Sequence, residues 1–503
     1  MPDRNRALAE LANRTFDVLI IGGGITGAGI ARDAALRGLT VALIDKGDFA
    51  SGTSSRSSRL VHGGVRYLEH GHLHLVFEAS AERRRLLRLA PHLVQPLAFT
   101  WPVYAGQRLS RWKLSAGLTL YDVLALFRNV ERHQRLSSAQ VLEHEPRLAR
   151  RALRGGVRYF DAHTDDARLT LANVLDAQAL GAVAVNHAVF TGAARASTQH
   201  VAHVQDALAG ERLEVRASIV VNAVGPWTDT VRALEGAGAR SSIHGSKGTH
   251  VAIRRERVGN NDAVTLLHPR DGRVMFALPA GAHTIIGTTD TFTRVSPDEV
   301  RPTETDVAYL LEAANVVFPD ARLQRDDVVT AWAGIRPLMP SSGSAVQASR
   351  EHAIERGDGI VTITGGKLTT YRVMAEQVVD AVEQSLGRRP TRSGTRHRPF
   401  PAGTPRHTGS DPIVPGLPYT GNDVTTAVMN ELACTLGDVL IRRTHVAYET
   451  HDNGKAAARV IAPDVARLLG WSERQCDLEL RRYDAEVARI FAIARDQDAV
   501  TSS

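Results

Sequence analysis

Residues 16–45, FDVLIIGGGITGAGIARDAALRGLTVALID, read as one unit: a strand, a glycine turn, a helix and a second strand. Phe16 to Ile21 is a short apolar run fit for a buried parallel strand, and Gly22-x-Gly24-x-x-Gly27 supplies the turn. From Ile25 to Leu36 small and apolar residues recur at helical spacing; Gly38 closes the helix, and Thr40 to Ile44 makes the next strand. The glycine spacing has a physical reason. Gly22 permits a tight turn, Gly24 lets the backbone approach a pyrophosphate, and Gly27 lets helix and strand pack closely, so that the phosphates rest on the N–H groups of Ile25 and Thr26. Asp45 ends the second strand where a carboxylate meets a ribose hydroxyl, which favours an adenosine ribose without a 2′-phosphate. A glycine motif alone is weak; with both strands, the helix and the terminal acid it specifies a dinucleotide site.

The next stretch, KGDFASGTSSRSSRLVHGGVRYLEHG, is dense in Gly, Ser and Thr and nearly empty of core residues. It is expected to wrap a ligand. Thr53, Ser54, Ser55, Ser57 and Ser58 offer hydroxyls, Gly63 and Gly64 permit close approach, and Arg56, Arg59 and Arg66 carry fixed positive charge. A simple nicotinamide dehydrogenase would continue with another short strand and helix, so the polar wrap points to a larger cofactor in an extended pose.

The whole chain sets outer limits. Its 503 residues, 43% of them hydrophobic, can bury large cores and predict two to four domains. Cys434 and Cys476 lie far apart with no CxxC, which argues for a reducing compartment and against structural zinc or disulfides. No apolar run of membrane-spanning length occurs, and the N-terminal residues ahead of Phe16 hold no signal-like apolar segment, so a cytoplasmic location is expected. The net charge of +7 fits a phosphate-bearing partner, an anionic membrane surface or a soluble arginine-rich protein. Nucleic-acid binding is not expected, because no recognition motif accompanies the charge.

Further along, residues 75–90 read as a helix with interleaved arginines. Residues 108–128, RLSRWKLSAGLTLYDVLALFR, join a basic, tryptophan-containing start to an apolar run, the composition either of a helix lying on an anionic bilayer or of an ordinary core-facing helix. His70, His72 and His74 alternate, but no cysteine or paired carboxylate joins them, and no metal site is assigned. Asp165 or Asp166 caps a helix. Ser218 to Val224 is another buried strand, followed by Gly225; Lys247 to His250 lead into a strand, and residues 274–290 form a hairpin ending at Asp290. Arg336 stands between turn residues. Gly359 to Thr364 is a strand that enters Gly365-Gly366-Lys367-Leu368-Thr369, a second place for anions on backbone N–H groups. Residues 388–418 have linker composition, and Asn422 to Phe491 are helical throughout.

The motifs IGGGITGAGIARDAALRG, TSSRSSRLVHGGVRYLE, VNAVGPW, KGTHV, IIGTTD, GIRPL and GGKLTTYR occur in an order and spacing that resembles the FAD-dependent, respiratory-type glycerol-3-phosphate dehydrogenases. The resemblance is strong over 16–385 and looser beyond. It implies an α/β fold with a Rossmann-like FAD-binding domain of the glutathione-reductase/D-amino-acid-oxidase type, an inserted antiparallel-sheet substrate domain and a C-terminal helical domain. The expected bounds are a 16–390 oxidoreductase region, in which cofactor segments at about 16–100, 150–235 and 340–390 enclose substrate segments at about 100–150 and 235–340, then the 388–418 linker and helices from 419 to 503. Expected FAD contacts are Gly22, Gly24, Ile25, Thr26, Gly27, Asp45, Thr53, Ser54, Ser55, Ser58, Arg59, His62, Gly63, Gly64, Ala223, Gly225, Gly366, Lys367, Leu368 and Thr369.

The implied reaction oxidises sn-glycerol 3-phosphate to dihydroxyacetone phosphate and passes electrons through FAD to a membrane quinone. Arg66, Tyr67, Arg336 and Lys367 would hold the substrate, since phosphate anchoring wants guanidinium forks and an ammonium. His250 is the chosen base, Asp290 its charge partner, and His62 the competing histidine. A glycerophosphate oxidase using oxygen, an amine or amino-acid oxidase of related fold, and a non-catalytic FAD sensor are the alternatives. Peripheral attachment to the inner face of the cell membrane and a homodimer complete the expectations.

Overall fold

The computed structural model describes residues 2–64, 73–107, 111–124, 131–196, 199–234, 244–338, 352–403, 406–408 and 411–496. Its first sheet runs in the order His352–Gly357, Ile360–Gly365, Arg212–Asn222, Thr15–Ile21, Val41–Ile44, Val183–Val185. All neighbours are parallel except the edge strand His352–Gly357. Alternation from Val18 to Ile21 explains why Thr15–Ile21 lies at the centre. Val18 and Ile20 enter one core with the helices Ile25–Leu36, Asp166–Ala179 and Tyr371–Ser385. Phe16, Leu19 and Ile21 enter the opposite core, closed by the helix Pro2–Asn13 and the hairpin Ala188–Ala196 and Gln199–Asp206. All strands that bear on the dinucleotide turn therefore end at one edge, where parallel sheets hold ligands.

The second sheet is ordered Thr291–Thr293, His244–Arg254, His283–Gly287, Val274–Ala280, Ala263–Leu267, Val94–Tyr104, Leu153–Thr164, Leu60–Val61, with Val328–Leu338 on His244–Arg254 and Gln134–Leu136 on Leu153–Thr164. It is antiparallel apart from the contact of Ala263–Leu267 with Val94–Tyr104. Two expectations change here. Leu153–Thr164, expected in the cofactor domain, pairs along its length with Val94–Tyr104 and belongs to the second sheet, a non-local registry that periodicity does not reveal. Arg336, expected in a turn, lies inside the strand Val328–Leu338 opposite Ser246. The neighbouring Gly334 serves close packing rather than a turn: a Cβ there would meet the Arg56 carbonyl oxygen at 3.0 Å.

Residues 388–403 have no regular structure, yet they are fastened to the first domain rather than free. Ser393 donates to Asp33, Arg398 pairs with Asp176 at 3.0 Å, and Phe400 is buried under the Arg32 guanidinium at 3.9 Å. The helices Gly421–Asn430, Lys455–Leu469 and Glu473–Phe491, with the short segments Asp438–Arg443 and Val446–Glu449, pack on the second sheet. Tyr448 is the hinge of that contact, meeting Trp332 edge-on at 5.1 Å and Phe491 at 5.0 Å.

Candidate active site

Where the two sheets and the C-terminal helices meet lies a cavity of about 1860 Å³. Its first wall is the glycine turn. Gly22 has φ +103°, and a Cβ on it would stand 2.7 Å from the Ala223 carbonyl oxygen; a Cβ on Gly27 would stand 1.8 Å from the Gly22 carbonyl oxygen. Gly24 caps the helix Ile25–Leu36 without a side-chain acceptor, so its first turn faces the cavity with backbone donors, of which Ile25 N–H reaches Ser54 Oγ at 2.9 Å. Asp45 accepts Gly23 N–H at 2.7 Å and Gly47 N–H at 2.9 Å, and burial pushes its carboxyl up to about 6 despite those donors. These donors, the acid and the cavity's size fit a dinucleotide.

Of the residues expected around FAD, Gly22, Gly24, Ile25, Thr26, Asp45, Thr53, Ser54, Ser58, His62, Gly64, Ala223, Gly225, Gly366, Lys367, Leu368 and Thr369 line the cavity. Four do not. Gly27 acts by packing on Gly22. The tight turn Thr53–Ser55 rotates Ser55 inward, where its carbonyl accepts the Tyr448 hydroxyl at 2.9 Å. Arg59 turns to the C-terminal helices, its Nη2 3.3 Å from His445 Nδ1 and its guanidinium over Tyr448. Gly63 donates to buried Asp161 at 3.0 Å, and that carboxylate is also held by the Tyr121 hydroxyl at 2.9 Å and by Arg83. Arg66 and Tyr67 lie outside the described residues, as do His70 and His72.

At the far end the cavity meets His250, Asp290, Arg336 and Lys367. The strand pair His244–Arg254 and Val328–Leu338 presents His250 opposite Trp332, on which its ring stacks at 5.5 Å. Its Nε2 lies 2.8 Å from Ser58 Oγ, while Nδ1 is buried without a partner among the described residues. Burial, reinforced by Arg336 and Arg59, holds the imidazole down at about 3, so it is neutral at physiological pH. Arg336 donates to Thr288 Oγ1 at 3.0 Å and to the Thr289 carbonyl and Asp290 Oδ1 at 3.3 Å each. Burial raises the Asp290 carboxyl, but hydrogen bonding from Ser246 and the charges of Arg336 and Arg273 outweigh it and hold Asp290 at about 2. Asp290 is thus a fixed anion that aims two guanidiniums, Arg336 and, at 2.9 Å, Arg273.

Sequence reading overlooked three parts of this cavity. Arg273 follows the Asp271-Gly272 turn, a signal in plain view. Phe99, Trp101, Tyr159 and Phe276 form an aromatic wall in which Phe99 and Tyr159 stack at 5.2 Å. The helix Glu473–Phe491 closes a further side with Arg482, Glu486 and Arg489, a face unrelated to any cofactor motif. Asp48, His187 and Asp438 bring their ligand atoms within 4.8 Å of one another, but Arg442 and Arg443 already bind the Asp48 carboxylate at 2.6 to 2.9 Å. That cluster is an ion network.

The sequence model of the FAD dependent oxidoreductases matches residues 17–379, and that of the C-terminal domain of alpha-glycerophosphate oxidase matches 370–476. A glycerol-3-phosphate dehydrogenase of Synechocystis is 35% identical, with 95% of this chain and 97% of that protein covered. An aerobic glycerol-3-phosphate dehydrogenase of Staphylococcus haemolyticus is 41% identical over 75% of this chain and 68% of its own length. Among solved structures, the glycerol-3-phosphate dehydrogenase of Bacillus halodurans complexed with FAD superposes with a TM-score of 0.78 at 29% identity, covering 97% of both chains. With the cradle and the two-sheet architecture described above, the chain belongs to the FAD-dependent glycerol-3-phosphate dehydrogenase family, with the D-amino-acid-oxidase type of fold and FAD as its cofactor.

Proposed function

We propose that the protein oxidises sn-glycerol 3-phosphate to dihydroxyacetone phosphate and delivers the electrons to a membrane quinone. The observation that carries the substrate is the Arg336 guanidinium, fixed by Asp290 and Thr288 in the same chamber as His250. Arg336, Arg273 and Lys367 bind the phosphate, the first two pre-aimed by Asp290, so little side-chain freedom is lost on binding. FAD, when bound, supplies the two-electron acceptor for the carbinol hydride. His250 takes the hydroxyl proton through Ser58 Oγ, which occupies its Nε2. An imidazole held near 3 is a weak base, but two effects help it. The alcohol proton becomes acidic as hydride leaves, and a bound phosphate neutralises the Arg336 charge that depresses the ring.

The test is the visible spectrum under anaerobic conditions. Flavin absorption should bleach on adding sn-glycerol 3-phosphate, and His250→Asn should slow the bleaching by about 10² to 10⁴-fold while binding survives. Persistence of the bands in the parent enzyme overturns the substrate; an unchanged rate in the variant overturns the base.

The acceptor reading rests on apolar surface. Leu73 and Phe77 on the helix Leu73–Leu89, and Trp112, Leu120 and Val123 on the adjoining helix Arg111–Leu124, are exposed, and Arg135 lies over the Trp112 ring at 4.5 Å. Such a face, basic and apolar together, suits the boundary of an anionic bilayer. Leu75 of the first helix also lines the cavity, as does the aromatic wall, so a lipid-soluble acceptor has an apolar approach. No helix among the described residues is long and apolar enough to cross a membrane. Sedimentation with anionic vesicles should be strong at low ionic strength, weaken with salt, and fall several-fold in Trp112→Glu. Equal pelleting of Trp112→Glu removes this face from the reading. Faster reoxidation by oxygen than by quinone in the vesicle-bound enzyme favours an oxidase instead.

A further inference from the structure

We propose that Arg56 and Arg489 form a binding site for a small oxyanion of the phosphate type, between the cofactor loop and the C-terminal helix. Among the described residues neither guanidinium bonds the glycine turn or the cations around His250. The cavity extends to this place, where Ser51, Gly52, Gly437 and Glu486 also line it. The loop sorts its side chains to two sides. Ser54 and Ser58 reach the Ile25 N–H and His250, whereas Arg56 turns back, with Nη2 donating to the Ser51 carbonyl at 3.2 Å.

Arg56 is 5% exposed, its Nε has no acceptor, and among the described residues no carboxylate bonds its guanidinium. That is costly for a buried cation. Arg59 on the same loop turns away to His445 and Tyr448, and three other cations that line the cavity have carboxylate partners. Arg442 bonds Asp48, Asp438 and Glu486; Arg482 bonds Glu479 at 2.6 Å; Lys46 bonds Asp298 at 2.8 Å. Among the described residues Arg489 has only a 3.9 Å approach to Glu486, itself engaged by Arg442 at 2.8 Å, and is partly exposed. Two guanidiniums thus remain with unmade bonds, one buried and one partly exposed. Arg56 follows Ser55, whose carbonyl accepts the Tyr448 hydroxyl, and Tyr448 meets Phe491 at 5.0 Å, which brings the loop against the helix that carries Arg489; burial, then the Arg489 charge, lowers Arg56 to about 10. An oxyanion between them relieves the repulsion and takes up fork-shaped donors. Occupied, it fastens the helix Glu473–Phe491 to the cofactor loop.

Equilibrium dialysis of the FAD-loaded enzyme against labelled inorganic phosphate at fixed ionic strength tests this. Two phosphates per chain are expected, one at the substrate cations and one at Arg56. Arg336→Met should weaken the first and leave the second, which separates failure of this site from failure of the substrate assignment. Arg56→Gln should remove the second, and Arg489→Gln, on a partly exposed helical position, should weaken it about tenfold. Should Arg56→Gln fail to fold, Arg489→Gln decides. A second phosphate that binds equally well in Arg489→Gln, or no phosphate beyond the one sensitive to Arg336→Met, overturns the site. So does loss of FAD together with phosphate in Arg56→Gln, since Arg56 would then serve the dinucleotide.

Discussion

Arg336→Met should lower kcat/KM for sn-glycerol 3-phosphate by roughly three orders of magnitude, because two charge-assisted hydrogen bonds to the phosphate of the proposed substrate vanish. The guanidinium is not free to be replaced by any cation. Thr288 Oγ1, the Thr289 carbonyl and Asp290 fix its plane, so Arg336→Lys, a point charge on a flexible stem, should recover only a small part of the loss. A pH consequence follows with a definite sign. Arg336 is the largest charged contributor to the depression of His250, after burial. Removing it raises the imidazole toward its ordinary value, so protonation of the base should begin at higher pH and the acid limb of kcat/KM should move upward. Steady-state kinetics of the two variants across pH check both statements. A loss smaller than tenfold in Arg336→Met would place the phosphate elsewhere in the chamber.

What could be read from the chain divides by how local the cause is. The cradle from Gly22 to Asp45 was legible because its parts are neighbours in sequence: the glycine needed at φ +103°, the uncapped helix start and the acid that binds Gly23 N–H all lie within one strand–helix–strand unit. Arg336 and His250 could be proposed only from the motif pattern, since a lone arginine or histidine in a strand has no local mark of function; the fold brings both to one cavity. Ser55 and Arg59 were misplaced because a run of hydroxyls and arginines does not say which way a short turn will rotate each of them. The anchored stretch 388–403 looks like linker by composition, and its fastening to Asp33, Asp176 and Arg32 depends on partners more than 200 residues away. The C-terminal helices were read as a cap without chemistry. Their cavity-facing charges appear only once Glu473–Phe491 is laid against the cofactor loop.

That same long-range closure rests on a buried ion network, and cutting it should have a large effect on stability. Asp48, buried in the loop after Val41–Ile44, accepts Arg442 Nε at 2.7 Å, Arg443 at 2.6 and 2.9 Å and Asn186 Nδ2 at 2.8 Å, across up to 395 residues of chain. Beside it Asp438 takes Arg442 at 2.8 Å and His187 at 3.0 Å, and these partners, acting against burial, hold its carboxyl well below the usual range. Asp48→Ala leaves two buried guanidiniums short of an anion. Breaking one side of a buried charged network costs about 3 to 5 kcal/mol, and the melting temperature of a chain this long should fall by about 3 to 5 °C. The exposed pair Lys46 with Asp298, on the same loop, is the control: Lys46→Ala should change stability by less than about 1 kcal/mol. The loop that Asp48 anchors begins at Asp45, whose carboxylate holds the glycine turn, so Asp48→Ala should also release FAD at lower temperature than it unfolds the second sheet. Flavin fluorescence followed beside circular dichroism during melting separates the two events. Coincident transitions at the parent temperature would mean that Arg442 and Arg443 find other anions, and that the remaining contacts, Tyr448 on Trp332 and Arg168 with Glu431 among them, suffice to hold the C-terminal helices.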